Sequence, residues 1–194
     1  IMLNLKLPTD PRWVNLAEKN LNDILTDHAY CEQKAATSCI SLIVVYPDLK
    51  PIVEKITPIV AEEWSHFSMV LNEIFKRNFV LGYPRKDEYV NGLLNFQNKS
   101  NDRYEVLVEK LLTNALIEAR SCERFRLLSL ELKDDYLRKF YHRFMVSEAG
   151  HYRLFMDLAK IYKDQNYVNN RWSEYLEYEK TILKNIEIRG DRIH

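Results

Sequence analysis

The sequence predicts an all-α protein: a four-helix bundle with additional N- and C-terminal helical segments, built as a single domain over residues 1–194. Three observations lead there. Four glycines and six prolines stand against twelve tyrosines, eight phenylalanines and three tryptophans, a turn-poor, aromatic-rich balance that favours long helices. No segment alternates with the period of a strand. Four long segments instead carry apolar residues at alternating four- and three-residue spacing, the stripe of a helix that buries one face.

The elements follow in order. In "LPTDPRWVNLAEKN", Thr9 or Asp10 can cap a helix with Pro11 at its first position, and a long helix then runs to about Tyr46. "YPDLKP" breaks it. Asp48 can cap a second helix whose first turn tolerates Pro51, while Pro58, inside the pattern, predicts a kink or short break. "NFVLGYPRKDEYVNGLLNFQNKSND" is a long connection with a short helix over residues 86–96. A third helix spans about Asp102 to Leu132, "KDD" turns into a fourth that reaches about Lys163, and "YVNNRWSEYLEYEKTILKNIEI" adds a C-terminal helix of structural role.

Charge and cysteine usage narrow the function classes. Lysine plus arginine equals aspartate plus glutamate, 28 each, so no global field draws the chain to nucleic acid or an anionic membrane, and either partner needs a local patch. The longest apolar run, Cys39 to Tyr46, is too short to span a bilayer, so no membrane association is expected. Cys31, Cys39 and Cys122 are odd in number and widely spaced, with no Cys-x-x-Cys and no signal peptide ahead of them, which predicts reduced thiols and a cytoplasmic location. Met2 reads as the natural start, with Ile1 extraneous.

The stripes themselves carry the chemistry. The first runs through Leu21, Leu25, His28, Glu32, Ala35, Cys39, Leu42 and Tyr46, and the second through Ile52, Ile56, Ile59, Glu63, His66, Val70 and Ile74. The third is Leu111, Ala115, Glu118, Cys122, Phe125, Ser129 and Leu132; the fourth is Leu137, Tyr141, Phe144, Glu148, His151, Phe155, Leu158 and Tyr162. Each is interrupted by glutamate, and two read Glu-x-x-His. Glu32 and Glu63 are centred on the "YPD" turn, Glu118 and Glu148 on the "KDD" turn, so each pair is predicted at equal height on antiparallel helices, roughly 20 Å from its turn.

Four inward carboxylates and two imidazoles at i+3 form the ligand set of a carboxylate-bridged dimetal site. Glu32, Glu63, His66, Glu118, Glu148 and His151 are therefore the candidate metal ligands, and through the metals the candidate catalytic residues. Mixed oxygen and nitrogen donors of that charge suit two divalent irons with open positions for dioxygen. Buried salt bridges would be the alternative, but the stripes supply no lysine or arginine.

Other residues carry less weight. His28, one turn from Glu32, is a hydrogen-bonding partner of that ligand, a substrate contact or a hydrogen-bonded core histidine. Cys31 and Cys122 are read as small buried residues. Glu123 falls about 140° off its stripe and is assigned to an ion pair on the bundle surface. Phe125, Phe144 and Phe155 either pack the core or line an apolar pocket. Arg120, Arg124, Arg143 and Arg153 give the third and fourth helices a locally positive surface.

The stretches "DHAYCEQKAA", "EEWSHF", "EARSCERF" and "SEAGHY" together resemble the bacterial tRNA hydroxylase family called MiaE, whose members are ferritin-like diiron proteins. The resemblance covers nearly the whole chain, with "EARSCERF" its most specific piece. It implies a ferritin-like fold, iron ligation by the same six residues, and oxygen insertion into the prenyl group of 2-methylthio-isopentenyladenosine in tRNA. It further implies O2 as cosubstrate and electrons from an external reductase or ferredoxin-like carrier, since no flavin or nicotinamide motif is present. A diiron oxidase or hydroxylase of a small molecule, and an iron-binding or storage protein, stay open as alternatives, as does the oligomeric state.

Overall fold

Four aspartates fix where helices begin in the second half of the chain. In the computed structural model, which describes residues 2–194 and so leaves Ile1 outside, Asp87 opens α4 (Glu88–Phe96) and Asp102 opens α5 (Arg103–Glu131). Asp134 opens α6 (Asp135–Tyr162) and Asp164 opens α7 (Gln165–Asn185). Their carboxylates accept from the amides of Val90, Tyr104, Tyr136 and Asn166 at 3.0, 2.8, 2.9 and 3.0 Å. Each cap satisfies donors that a helix start leaves open, worth about 1 kcal/mol. In the first half, α1 (Trp13–Lys19), α2 (Leu21–Val45) and α3 (Lys50–Lys76) begin after Arg12, Asn20 and Leu49 without a side-chain cap bond. Among the described residues there is no strand.

Four expectations about the first half need correction. Thr9 caps nothing, because its amide and hydroxyl both donate to Glu123, at 3.0 and 2.6 Å. The long helix to Tyr46 is two helices that part at Asn20, whose side-chain amide donates back to the Leu16 carbonyl at 2.8 Å. Leu49, not Asp48, holds the cap position of α3, and α3 runs unbroken through Pro58. That proline forfeits one backbone bond in a helix of 27 residues whose inner face is buried along its length, so packing outweighs the lost donor.

The chain divides into two compact units. One comprises residues 12–86 with 189–193 and is built on the hairpin of α2 and α3. Its core takes Ile24, Leu25, Ala29, Cys39 and Leu42 from α2 and Ile52, Ile56, Ile59, Val70 and Ile74 from α3, largely the predicted stripes. The returning segment 189–193 is tied down through Asp27, which accepts from the Ile193 amide at 2.7 Å and from Arg192 at 2.9 Å, while the Trp13 indole donates to the Arg192 carbonyl at 3.2 Å. Gly190 passes so close to α1 that a Cβ there would stand 2.2 Å from the Leu16 carbonyl carbon. Only glycine fits.

The other unit comprises the chain up to Pro11, Asp87–Ile188 and His194, built on the hairpin of α5 and α6 with α7 against it. Phe125, Phe144 and Phe155 are buried, and Phe125 packs on Tyr141 and Phe144 with ring centroids 5.6 and 5.7 Å apart. The structural role expected of the C-terminal helix is carried by two buried arginines. Arg120 on α5 donates through Nε and Nη2 to Glu179 of α7 at 2.8 and 3.0 Å, through Nη1 to Glu123 at 3.0 Å, and through Nη2 to the Leu7 carbonyl at 2.9 Å. Arg171 on α7 donates to both oxygens of Glu109 on α5, at 2.7 and 2.9 Å. Burial works against the Arg120 charge, but the bonds and charge of Glu179 hold its pKa above the ordinary arginine value.

Removing one partner of such a pair strands the other charge in the core. Arg120→Ala should therefore lower the unfolding free energy by about 3–5 kcal/mol in urea titrations. Gly190→Ala should lower the melting temperature measurably, because its clash is with backbone that cannot turn aside.

Candidate metal centre

Eight glutamates are buried among the described residues, and they fall into two chemical classes. Glu73, Glu109, Glu123 and Glu179 meet guanidinium groups, from Arg77, Arg171 and, for the last two, Arg120. Glu32, Glu63 and Glu148 have imidazole neighbours, and Glu118 belongs with them by position. The first class is neutralised by a permanent cation. The second is grouped with side chains that are, in their neutral form, metal ligands.

In the α2–α3 unit, Glu32, Glu63 and His66 each present a ligand atom within 4.8 Å of the others. His66 Nδ1 lies 3.3 Å from Glu32 Oε2 and 3.5 Å from Glu63 Oε2. The i+3 spacing within one helix brings Glu63 and His66 to the same face, and the hairpin brings Glu32 across to them. His28, left open among three readings, has its Nε2 2.7 Å from Glu32 Oε1, so it holds the second oxygen of that carboxylate from one turn away. Glu62 is exposed and its carboxylate stands 3.9 Å from His66 Nε2, beside the cluster rather than in it.

In the α5–α6 unit, Glu118, Glu148 and His151 likewise present ligand atoms within 4.8 Å of one another. His151 Nδ1 lies 3.5 Å from Glu148 Oε2. The two hairpins thus bury the same donor set, two carboxylates and one imidazole. Oxygen and nitrogen donors in that ratio fit a hard-to-borderline divalent ion such as iron. Two carboxylates with one imidazole leave a net negative charge that a bound cation offsets.

Three sequence expectations change at this point. Glu123 is ion-paired but not on the surface: it is buried between Arg120 and Thr9. Arg120 is buried in the same network, so it presents no charge to a nucleic acid, and Arg124 is half-buried with its Nε donating to Thr9 Oγ1 at 3.3 Å. Arg143 and Arg153 are exposed, as expected. Cys122 donates its thiol to the Met145 carbonyl at 3.2 Å, and burial first, then the Glu148 and Glu123 charges, push the thiol up to about 12. It packs as a small buried residue. Cys31 is half-buried, its sulfur 4.0 Å from Asp27.

Comparison with known proteins adds three findings. The profile of the family described as "tRNA-(MS[2]IO[6]A)-hydroxylase (MiaE)" matches residues 1–194. A protein of Pseudomonas putida named tRNA 2-(methylsulfanyl)-N(6)-isopentenyladenosine(37) hydroxylase is 35% identical over 83% of this chain and 77% of its own, and one of the same name from Salmonella typhimurium is 28% identical over 80% and 75%. A solved structure described as "Protein 43 with aldehyde deformylating oxygenase activity from Synechococcus" superposes with a TM-score of 0.92, at 30% identity, over 98% of this chain and 94% of its own. The all-α, ferritin-like fold class expected from the sequence is borne out by that likeness.

Glu118→Ala and Glu123→Ala should separate cleanly. The first should lower metal uptake with little loss of stability, and the second should lower the melting temperature while leaving metal uptake intact, as read by metal analysis alongside thermal denaturation. Iodoacetamide at pH 8 should leave Cys122 unmodified in the folded protein and label it after unfolding, by peptide mass spectrometry.

Proposed function

The chain belongs to the MiaE family of tRNA hydroxylases, and from that premise we infer that it is an O2-dependent non-haem diiron monooxygenase. Its substrate is the prenyl group of 2-methylthio-isopentenyladenosine in tRNA. The observation that carries the reading is the repeated triad, two carboxylates and one imidazole buried in each hairpin with ligand atoms within 4.8 Å. Glu32, Glu63 and His66 together with Glu118, Glu148 and His151 would hold two iron ions, with the chain 1–194 acting as one catalytic domain. When bound, the iron pair supplies the two-electron chemistry needed to activate dioxygen, which amino-acid side chains alone do not provide.

The protein's own part is to bind, orient and exclude. His28 restrains Glu32 by its hydrogen bond to Oε1, which leaves Oε2 toward His66. Ile59 and Val70 on α3 lie within a turn or so of Glu63 and His66, and Phe144 and Phe155 lie one turn from Glu148 and His151. All four are buried and apolar, so water is kept from each triad. Two electrons per turnover come from an external reductase or ferredoxin-like carrier, and the location is cytoplasmic, where tRNA is found. Among the described residues no helix is long and apolar enough to cross a membrane.

A second reading, oxidation of a small molecule such as a free aldehyde, draws support from the description of the Synechococcus protein at 30% identity. The two part in one experiment. Protein reconstituted with ferrous iron and a chemical reductant is incubated under O2 with tRNA bearing the methylthio-isopentenyl adenosine, and the digested nucleosides are weighed. One added oxygen on the prenyl nucleoside is expected. Its absence, with a fatty aldehyde consumed instead, would favour the second reading. Iron analysis should give about two ions per chain, falling in Glu63→Ala and Glu148→Ala variants.

A further inference from the structure

Helix α3 buries one face and leaves a second apolar one open. Counted at about 100° per residue from Glu63, the side chains of Val53, Val60, Trp64, Phe67, Leu71 and Phe75 fall between about 40° and 120°, a strip beside the buried stripe. Trp64 is 53% exposed and Phe75 56%, and the other four are half-buried. Trp64 and Phe67, at the centre, pack on each other with ring centroids 5.0 Å apart. The hydroxyls that border the strip turn back into the helix: Thr57 donates to the Val53 carbonyl at 2.6 Å and Ser68 to the Trp64 carbonyl at 3.0 Å. The exposed charges of α3 lie elsewhere. Glu54, Lys55, Glu62 and Lys76 stand about 60° or more beyond the edges of the strip, and Lys50, ahead of it, pairs with Glu54 at 3.5 Å.

A face without cations offers no hold to a phosphate backbone. Its size argues against a lasting second copy. From residue 53 to 75, at about 1.5 Å rise per residue, the strip is about 33 Å long, and at one helix width it measures about 400 Å². Two such surfaces bury about 800 Å², short of the roughly 1,200–2,000 Å² of a stable complex and within the range of brief electron-transfer encounters. Position narrows the partner further. Trp64 follows Glu63 and Phe67 follows His66, so the centre of the strip stands one Cα-to-Cα step, about 3.8 Å, from both candidate ligands of α3. Electron transfer slows steeply with distance, and a carrier seated here delivers across a single helix.

We propose that this face of α3 is where the external electron carrier docks, centred on Trp64. The carrier is an iron–sulfur or flavin protein that presents an apolar patch beside its own redox group. At each docking it loses one electron to the iron pair, and two successive dockings supply the two electrons of a turnover. With two protons from solvent, those electrons let one atom of dioxygen enter the substrate and the other leave as water.

The inference rests on the reading above of an iron pair fed from outside, and the test separates the two. Iron-loaded full chain is oxidised, made anaerobic, and reduced either by a bacterial iron–sulfur ferredoxin at rising concentration or by dithionite with a soluble dye, the iron absorbance giving the rate. Trp64→Ala and Phe75→Glu should raise the half-saturating ferredoxin concentration about tenfold, because an aromatic anchor at the centre of a small contact carries much of its affinity. Trp64→Phe should keep most of the wild-type value, and Lys55→Ala, on the opposite side of the helix, should keep all of it. Reduction by dithionite, iron content and melting temperature should not change in any of them. Unchanged half-saturation in both Trp64→Ala and Phe75→Glu overturns the docking face, as does wild-type protein that shows no saturable reduction by ferredoxin. Slower reduction by both reagents also overturns it and places Trp64 in the support of the centre itself. Sedimentation and tRNA titration address the other occupants: a dimer lost in Phe75→Glu, or tRNA binding weakened in Trp64→Ala, assigns the strip to a second copy or to RNA instead. Protein that ferredoxin reduces but that leaves the prenyl nucleoside unchanged refutes the tRNA reading while the docking face stands, whereas a chain that takes up no iron removes both.

Discussion

A carboxylate taken out of water must be neutralised or bound, and among the described residues that constraint falls on eight buried glutamates and is met by two different means. Where arginine answers, at Glu73, Glu109, Glu123 and Glu179, the result is an architectural joint: Arg120 and Arg171 fasten α5 to α7, and Arg120 reaches the N-terminal segment as well. Where histidine answers, the neutralisation is incomplete by design, since an imidazole can stay neutral and share a carboxylate's company with a cation from outside. The split between fixed and borrowed charge is what separates scaffold from site.

Sequence patterning exposed the second class and hid the first. Glu32, Glu63, Glu118 and Glu148 interrupt apolar stripes, so their inward direction follows from helical period alone, and the i+3 histidines follow from the same count. Arg120 and Glu123 are spaced i, i+3 like an ordinary surface pair. Nothing local says that α7 and the first residues of the chain will cover them, because Glu179 lies 59 residues away and Leu7 lies 113. The misread start near Thr9 has the same origin: a good capping residue was recruited by a carboxylate 114 residues distant. Asp102, whose cap bonds are local, was legible.

Helical period could not resolve His28 either, since a core histidine and a ligand's hydrogen-bonding partner occupy the same stripe. Only the 2.7 Å approach to Glu32 distinguishes them. Substrate identity lies further still from the pattern. Membership of the family supplies it, and the donor set is compatible with it, but a diiron-type ligand set serves many oxidations, as the description of the Synechococcus protein illustrates.

Helix α5 carries both solutions at once. Glu118 belongs to the candidate metal-binding face, while Arg120 and Glu123, two and five residues on, belong to the face that clasps α7 and the N-terminal segment. Its rotational phase is consequently fixed from two sides: a turn of 100° in either direction would at once withdraw a candidate ligand and strand a buried guanidinium. Within this helix an inserted or deleted residue has no neutral position between 118 and 123. Evolution of the pocket is thereby steered toward replacing side chains on α5 and away from re-registering it.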